Sequence, residues 1–202
     1  PAFAFDPVQA NALLLDGSGY VQAPWESNRL ALEQFTIEAW IYPTANSGTI
    51  LGRQVTEGLY NYHFYLDGGR PTVAVSPATG DADFVVSAAE SVPQSVWTHV
   101  AATFDGNNLA IYVNGIRVID LVADLPVHQN GYGPTWVRVG EGFSGAIDNV
   151  RIWEHTRFAG GMRAAMHRQI EADANGLVLQ YLFDDGGETI EDHVADLAMD
   201  WK

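Results

Sequence analysis

Apolar and polar residues alternate one for one through short segments that Gly, Asn, Asp and Pro cut apart. Phe35, Ile37, Ala39 and Ile41 interleave with Thr36, Glu38, Trp40 and Tyr42, and Pro43 closes the run. Tyr60, Tyr62, Phe64 and Leu66 interleave with Asn61, His63, Tyr65 and Asp67 before Gly68-Gly69. Val100, Ala102 and Phe104 oppose Trp97, His99 and Thr103. Successive side chains leave a strand on opposite faces, so a period of two gives each strand one apolar face and one polar face. Such strands must bury the apolar face against a second layer.

Further short strands are read at 72–76, 84–87, 109–113, 116–119, 136–139, 146–153 and 177–183. Asn114-Gly115 lies between two apolar runs, and both residues tolerate the positive φ of a type I′ hairpin turn. About ten short strands joined by such turns fit a sandwich or jelly roll. Only 156–170 reads as helix, with Thr156 as N-cap and Phe158, Met162, Ala165, Met166 and Ile170 as its stripe. Gly160-Gly161 weakens that helix, so a short or irregular one is expected. The acidic tail after Asp184 reads as edge structure or the start of a linker.

A chain of 202 residues suits one large all-β domain, here 1–202 with a core at about 12–187, and 47% apolar residues can fill it. The 25 acids outnumber ten basic residues for a net charge of −15, a surface that repels nucleic acid and anionic membranes. No apolar run approaches the ~18 residues that would suggest a bilayer-spanning helix. With no cysteine, disulfides and thiolate metal sites are excluded. The start at Pro1 is expected of a processed chain or a piece of a larger multidomain protein.

The ordered segments LDGSGYV, FTIEAWIYP, WTHVAATFDGNNLAIYVNG, VGEGFSGAIDNVRIW and LVLQYLFDDGG resemble the laminin-G-like, concanavalin A-like jelly-roll family. The resemblance runs from about Ala12 to Gly187. It implies an all-β, two-sheet antiparallel jelly-roll sandwich with a short helix near 156–170. It implies a secreted or surface location and often a calcium ion near residues matching Asp16 and Asp148. A hard divalent ion needs six to eight oxygens, which carboxylates and the carbonyls of glycine-rich turns could supply. The alternative is an Asx-turn at Asp16 and an amide-capping role at Asp148. The family includes sugar binders, adhesion modules and enzyme parts, so it names no single function.

The polar faces of the strands carry the binding candidates. Aromatic rings that stack on pyranoses, beside amides or charges for the hydroxyls, are what a glycan site needs. Trp40, His63, Tyr65 and Trp97 with Glu38 and Arg53 form the candidate set, at a concave face or loop rim, and His128, Tyr132 and Trp136, in or near loops, could join it. Against this, Trp40 and Trp97 could pack as a satellite core. Trp153 shares strand parity with Ile147 and is read as packing. Asp81 and Asp83 read as an acidic hairpin tip. Retaining glycosidases of this fold carry Glu-x-Asp-x-x-Glu, with two carboxylates ~5 Å apart. Only an incomplete Glu171-Ala172-Asp173 approaches that pattern, so no catalysis is expected. The expected function is a non-catalytic module recognising glycan or a protein partner, in adhesion or substrate targeting, with calcium as a structural ion. A structural spacer, or a divergent hydrolase or lyase starting from Glu38, are the alternatives.

Overall fold

The computed structural model describes residues 11–23, 28–123, 126–127, 136–184, 189–194 and 197–201. Their strands form two antiparallel sheets. The first contains β1 (Leu13–Asp16), β3 (Phe35–Pro43), β8 (Thr98–Phe104), β9 (Asn108–Val113), β10 (Ile116–Val122), β12 (Ser144–Trp153) and β13 (Leu177–Tyr181). Its order is β1-β12-β3-β8-β9-β10, with β13 also paired to β12. The second contains β2 (Val21–Ala23), β4 (Gly48–Thr56), β5 (Leu59–Asp67), β6 (Arg70–Val75), β7 (Phe84–Ser87), β11 (Trp136–Val139), β14 (Thr189–Asp192) and β15 (Leu197–Trp201). Its order is β14-β15-β2-β11-β4-β5-β6-β7. The chain is thus the expected jelly-roll sandwich, and the acidic tail contributes the edge strand β14 and, inside it, β15.

The alternating segments supply the interior. Phe35, Ile37, Ile41, Val100 and Phe104 from one sheet meet Tyr62, Phe64, Val73 and Val139 from the other, all nearly or wholly excluded from solvent. The Phe35 ring lies 5.2 Å from Tyr62 and 5.8 Å from Phe104, so rings of both sheets interlock at the centre. The predicted Asn-Gly hairpin joins β9 to β10, with φ of 50° at Asn114 and 69° at Gly115. That is the left-handed backbone a type I′ turn requires.

Two irregularities reverse what strict alternation predicts. In β12 the register shifts between Asp148 and Arg151, and Asn149 sits at φ 50°. One extra residue exchanges the two faces beyond it. Trp153 therefore lies across from Thr36, opposite to the core side occupied by Ile147. The β4–β5 ladder shifts between Arg53 and Gln54. Tyr60 consequently joins His63 and Tyr65 rather than Tyr62. Asn61 is buried instead, bonding Leu32 through both its N–H and C=O.

Helix α1 (Ala159–Ala165) is seven residues long, shorter than the 156–170 span predicted. Phe158 occupies the N-cap position without a side-chain cap bond, and its ring is 75% exposed rather than part of a buried stripe. A seven-residue helix with two glycines is too weak to stand alone, so packing must hold it. Met162 provides that packing by inserting against Ala101, Ala110 and Tyr112 on the outer face of the first sheet. Hydrogen bonds complete it. Trp40 Nε1 donates to the Met166 carbonyl at 2.7 Å, and Arg163 Nη1 to Gly115 at 2.7 Å. Arg151 Nη2 donates to the Arg168 carbonyl at 2.6 Å.

Beneath this cover lies Glu38, fully buried. Its Oε1 accepts from Trp153 Nε1 at 3.0 Å and from Arg157 Nη1 at 2.6 Å, with Arg151 Nη1 3.7 Å away. His99 Nε2 lies 3.5 Å from Oε2. Burial alone would raise the pKa of this carboxyl, but the approach of His99 and the charges of His99, Arg151 and Arg157 outweigh it and hold it at about 2. A depressed carboxyl pKa contributes stability that is complete above the unfolded value and lost as pH falls from about 4.5 toward 2. Removing one partner of a buried ion pair typically costs ~3 kcal/mol or more. Glu38→Gln is expected to lose about that much in urea unfolding and to flatten the acid limb of the stability–pH curve; a loss below ~1 kcal/mol would contradict the network.

Candidate functional site

Directly paired residues share a face of a sheet, so the register of the second sheet defines a row. Gln22, Arg138, Gly52, His63, Ala74 and Val85 lie side by side across β2, β11, β4, β5, β6 and β7. Their neighbours Val137 and Val139 face the core, which fixes this row on the outer surface. The centre of the row is built around three stacked rings. Tyr60 lies 4.4 Å from His63 at an interplanar angle of 13°, and His63 lies 4.5 Å from Tyr65 at 24°. All three are half-buried.

Gly52 is what lets those rings lie against the sheet. A Cβ there would come within 3.2 Å of His63 Cδ2 and 3.7 Å of Tyr60 Cε1. Across β4 from the stack stands Arg138. Its guanidinium lies between Tyr20 and Trp136, 4.4 Å from each ring centroid. Arg138 Nε donates to Gln22 Oε1 at 3.1 Å and Nη1 to Glu141 Oε1 at 2.5 Å. β11 and β5 are two strand spacings apart, ~10 Å, so rings and hydrogen-bonding groups flank β4 on both sides.

Burial pushes the His63 imidazolium down to about 4, although the nearby Asp83 charge acts in the other direction. His63 is hydrogen-bonded to Thr49 Oγ1 through Nε2 at 3.0 Å. The ring is thus a neutral stacking surface at physiological pH. Burial also raises the Tyr60 and Tyr65 phenols, keeping both hydroxyls protonated as donors.

The candidates read from sequence divide among four places. His63 and Tyr65 come together on this platform, and Trp136 joins them there. Glu38 and Trp40 do not: both are buried beneath the α1 segment, where the helix cover excludes any ligand. Arg53 is opposite Tyr62 and Val137 in register, so its side chain enters the sandwich, 3% exposed. Trp97 sits just before β8, at the end of the other sheet, with its ring 5.7 Å from Tyr42. Tyr42 in turn lines a groove of about 790 Å³ with Leu14, Asp16, Ser18, Thr44 and Ala146. His128 and Tyr132 fall outside the described residues. Asp81 and Asp83 bond Thr79 and Ser76 in the β6–β7 loop.

Tyr20, Gln22, Gly52, Tyr60, Arg138 and Glu141 were not singled out from sequence. The alternation Trp136-Val137-Arg138-Val139 does carry a signal, because it puts indole and guanidinium on one side of a strand whose valines face the core. Tyr60 carried none, since a bulge assigns its face.

Asp16 and Asp148 do not form one metal site. Asp16 pairs with Ser144, four residues before Asp148 on an unbroken stretch of β12, a separation of ~13 Å. Calcium–oxygen distances of ~2.4 Å cannot bridge that span. Asp16 accepts from Ser18 N and Oγ, the Asx-turn alternative. Asp148 is buried, its Oδ1 accepting from Asn149 N–H. Burial raises its pKa to about 6, with the charge of Asp184 adding to the rise. Among the described residues no cluster of three or more His, Asp or Glu has metal-holding geometry.

With this geometry in hand, comparison with known proteins places the chain. A laminin G-type family model, described as the concanavalin A-like lectin/glucanases superfamily, matches residues 15–160. The chain belongs to that superfamily. Among solved structures it resembles a candidate carbohydrate-binding protein from Bacteroides ovatus, with TM-score 0.72 and 20% identity over 94% of this chain. The chain spans 59% of that protein's length. It also resembles the CBM40 of the Ruminococcus gnavus IT-sialidase bound to α2,3 sialyllactose, with TM-score 0.63, 19% identity, and 78% and 97% of the two chains covered. A heptameric SAP-like pentraxin from Limulus polyphemus has TM-score 0.53 and 16% identity, covering 76% of this chain and 78% of its own. At these identities the likeness is one of fold. No curated protein matches the chain.

The half-buried His63 gives a direct check on the platform. Its ring should remain neutral down to pH ~5 in an NMR titration; a midpoint near the ordinary 6.5 would show it to be solvated and the stack open.

Proposed function

We propose that the chain is a non-catalytic glycan-binding module of a secreted or surface-exposed protein, and that it holds sugar on the outer face of its second sheet. The observation that carries this reading is the Tyr60–His63–Tyr65 stack facing Arg138 between Tyr20 and Trp136, seated over Gly52. Aromatic surface contacts the apolar faces of a sugar, while Gln22, Arg138, Glu141 and the phenols satisfy its hydroxyls. The sugar-binding proteins among its structural relatives support the class of ligand. The length of the Bacteroides ovatus chain beyond the shared fold supports a place beside other domains, in adhesion or substrate targeting.

A hydrolytic role for Glu38 has no support in the geometry. A carboxylate that is fully buried and paired with Arg157 and Trp153 reaches no substrate. Calcium stays in the proposal at Asp148, with Asp184, and not at Asp16. A cation there would relieve both the burial of Asp148 and its repulsion from Asp184.

Two experiments test these statements. On a glycan array, Tyr65→Ala, Trp136→Ala and Gly52→Val should each weaken the parent's binding by about tenfold or more, the first two with thermal midpoints nearly unchanged. Tyr42→Ala, on the opposite sheet, should leave binding intact. Loss with Tyr42→Ala and retention with the other three would move the site to the groove that Tyr42 lines. For calcium, added ion should raise the midpoint and chelator lower it, in the parent and in Asp16→Asn but not in Asp148→Asn; a parent indifferent to both removes calcium from the reading.

A further inference from the structure

Resting on the glycan reading above, we infer that Glu141 makes the platform selective for uncharged sugars, so that sialylated and uronic acid-bearing glycans are rejected. Arg138 and, farther along on β6, Arg70 are the cations on the described part of this face, and Arg138, the one beside the rings, is already matched. Glu141 occupies its Nη1, Gln22 its Nε, and two rings cover its planar faces. A guanidinium pairs best with a carboxylate through two parallel N–H donors. An incoming sugar carboxylate would therefore meet an arginine whose charge is neutralised and would come to rest beside Glu141.

Apart from Arg70, which faces Asp67, the remaining charges around the rings are negative. Asp83 acts on all three stacked rings, Glu141 on Tyr60 and Asp67 on Tyr65. Asp67 is only loosely countered by Arg70 at 3.7 Å, both being exposed. His63 is neutral and adds no positive charge. These acids stand on the loops and strand ends around the rings, close to any bound sugar relative to the ~8 Å screening length of physiological salt. The net charge of −15 deepens the potential that an acidic ligand must enter.

For neutral sugars the same groups are favourable. Glu141 and Asp83 accept from hydroxyls, the phenols donate, and the rings give apolar contact, none of which needs a ligand charge. The consequence is a specificity opposite to that of the Ruminococcus gnavus CBM40, whose structure holds sialyllactose on a related fold. Like charges juxtaposed across an interface suppress the wrong partner more than complementary ones strengthen the right one.

The test is a glycan array of matched pairs, each neutral oligosaccharide printed beside its sialylated or uronic counterpart, probed with the parent chain, Glu141→Gln and Trp136→Ala. Parent binding should fall on neutral members, with acidic counterparts at least about tenfold weaker. Glu141→Gln should narrow that gap to about threefold or less by freeing Arg138, and Trp136→Ala should abolish both. Equal or tighter parent binding of acidic members, lost in Trp136→Ala, overturns the selectivity while keeping the site. A selectivity unchanged in Glu141→Gln overturns the role of that residue. If no printed glycan binds the parent at all, the glycan reading itself fails and this inference with it.

Discussion

A sandwich has two outer faces, and the buried Glu38 carboxylate determines which of them is closed. It gathers Trp153, Arg157, Arg151 and His99 on the outer surface of the first sheet. Those same residues and their neighbours hold the segment after β12. Arg151 bonds the Ala165 and Arg168 carbonyls, Arg157 donates through its N–H to Thr36 Oγ1, and Thr36 Oγ1 donates to the His155 carbonyl. A charge taken out of water is tolerable only when it is paired and the other groups around it are bonded. The α1 cover supplies most of those partners, though among the described residues Glu38 Oε2, His99 Nδ1 and Arg151 Nε have no hydrogen-bond partner, and it closes the part of that face around Glu38.

The second sheet has no such charge in its middle. Gly52 stands in the centre of its outer row where Glu38 stands on the first, and the space is taken by rings rather than by chain. The polar groups there are bonded to one another at the periphery, as in Arg138 with Glu141 and Gln22, so they require no covering segment. This contrast explains how a symmetrical architecture acquires one recognition surface. Differential burial of polar groups, not any difference in fold, distinguishes the two sheets.

Much of the architecture was legible because hydrophobic alternation is a local property. The strands at 35–43, 84–87 and 136–139 and the Asn114-Gly115 hairpin were read within a residue or two, and the family resemblance supplied the two-sheet order. The helix was overextended because its stripe was counted through Phe158 and Ile170, whereas packing against Ala101 and Ala110 stabilises only the seven residues around Met162. The site was legible in part. His63 and Tyr65 follow from period two, but Trp40 and Glu38 have the same periodic signature on the other sheet and end up beneath a helix. Asp16 and Asp148 looked adjacent as motif matches, and the β1–β12 register separates them.

The sequence by itself determined the class of fold, the core-facing residues of the regular strands and the absence of thiol chemistry, since each depends on residue type and short-range spacing. Only the tertiary structure decided which polar face remained open. That choice depends on contacts across long stretches of chain, such as Glu38 with Arg157 and Trp40 with Met166. It also depends on single-residue bulges at Asn149 and near Tyr60, which flip the faces of everything beyond them at little cost in local propensity. Alternation states that two residues share a side. Pairing and bulging decide which side that is, and what lies over it.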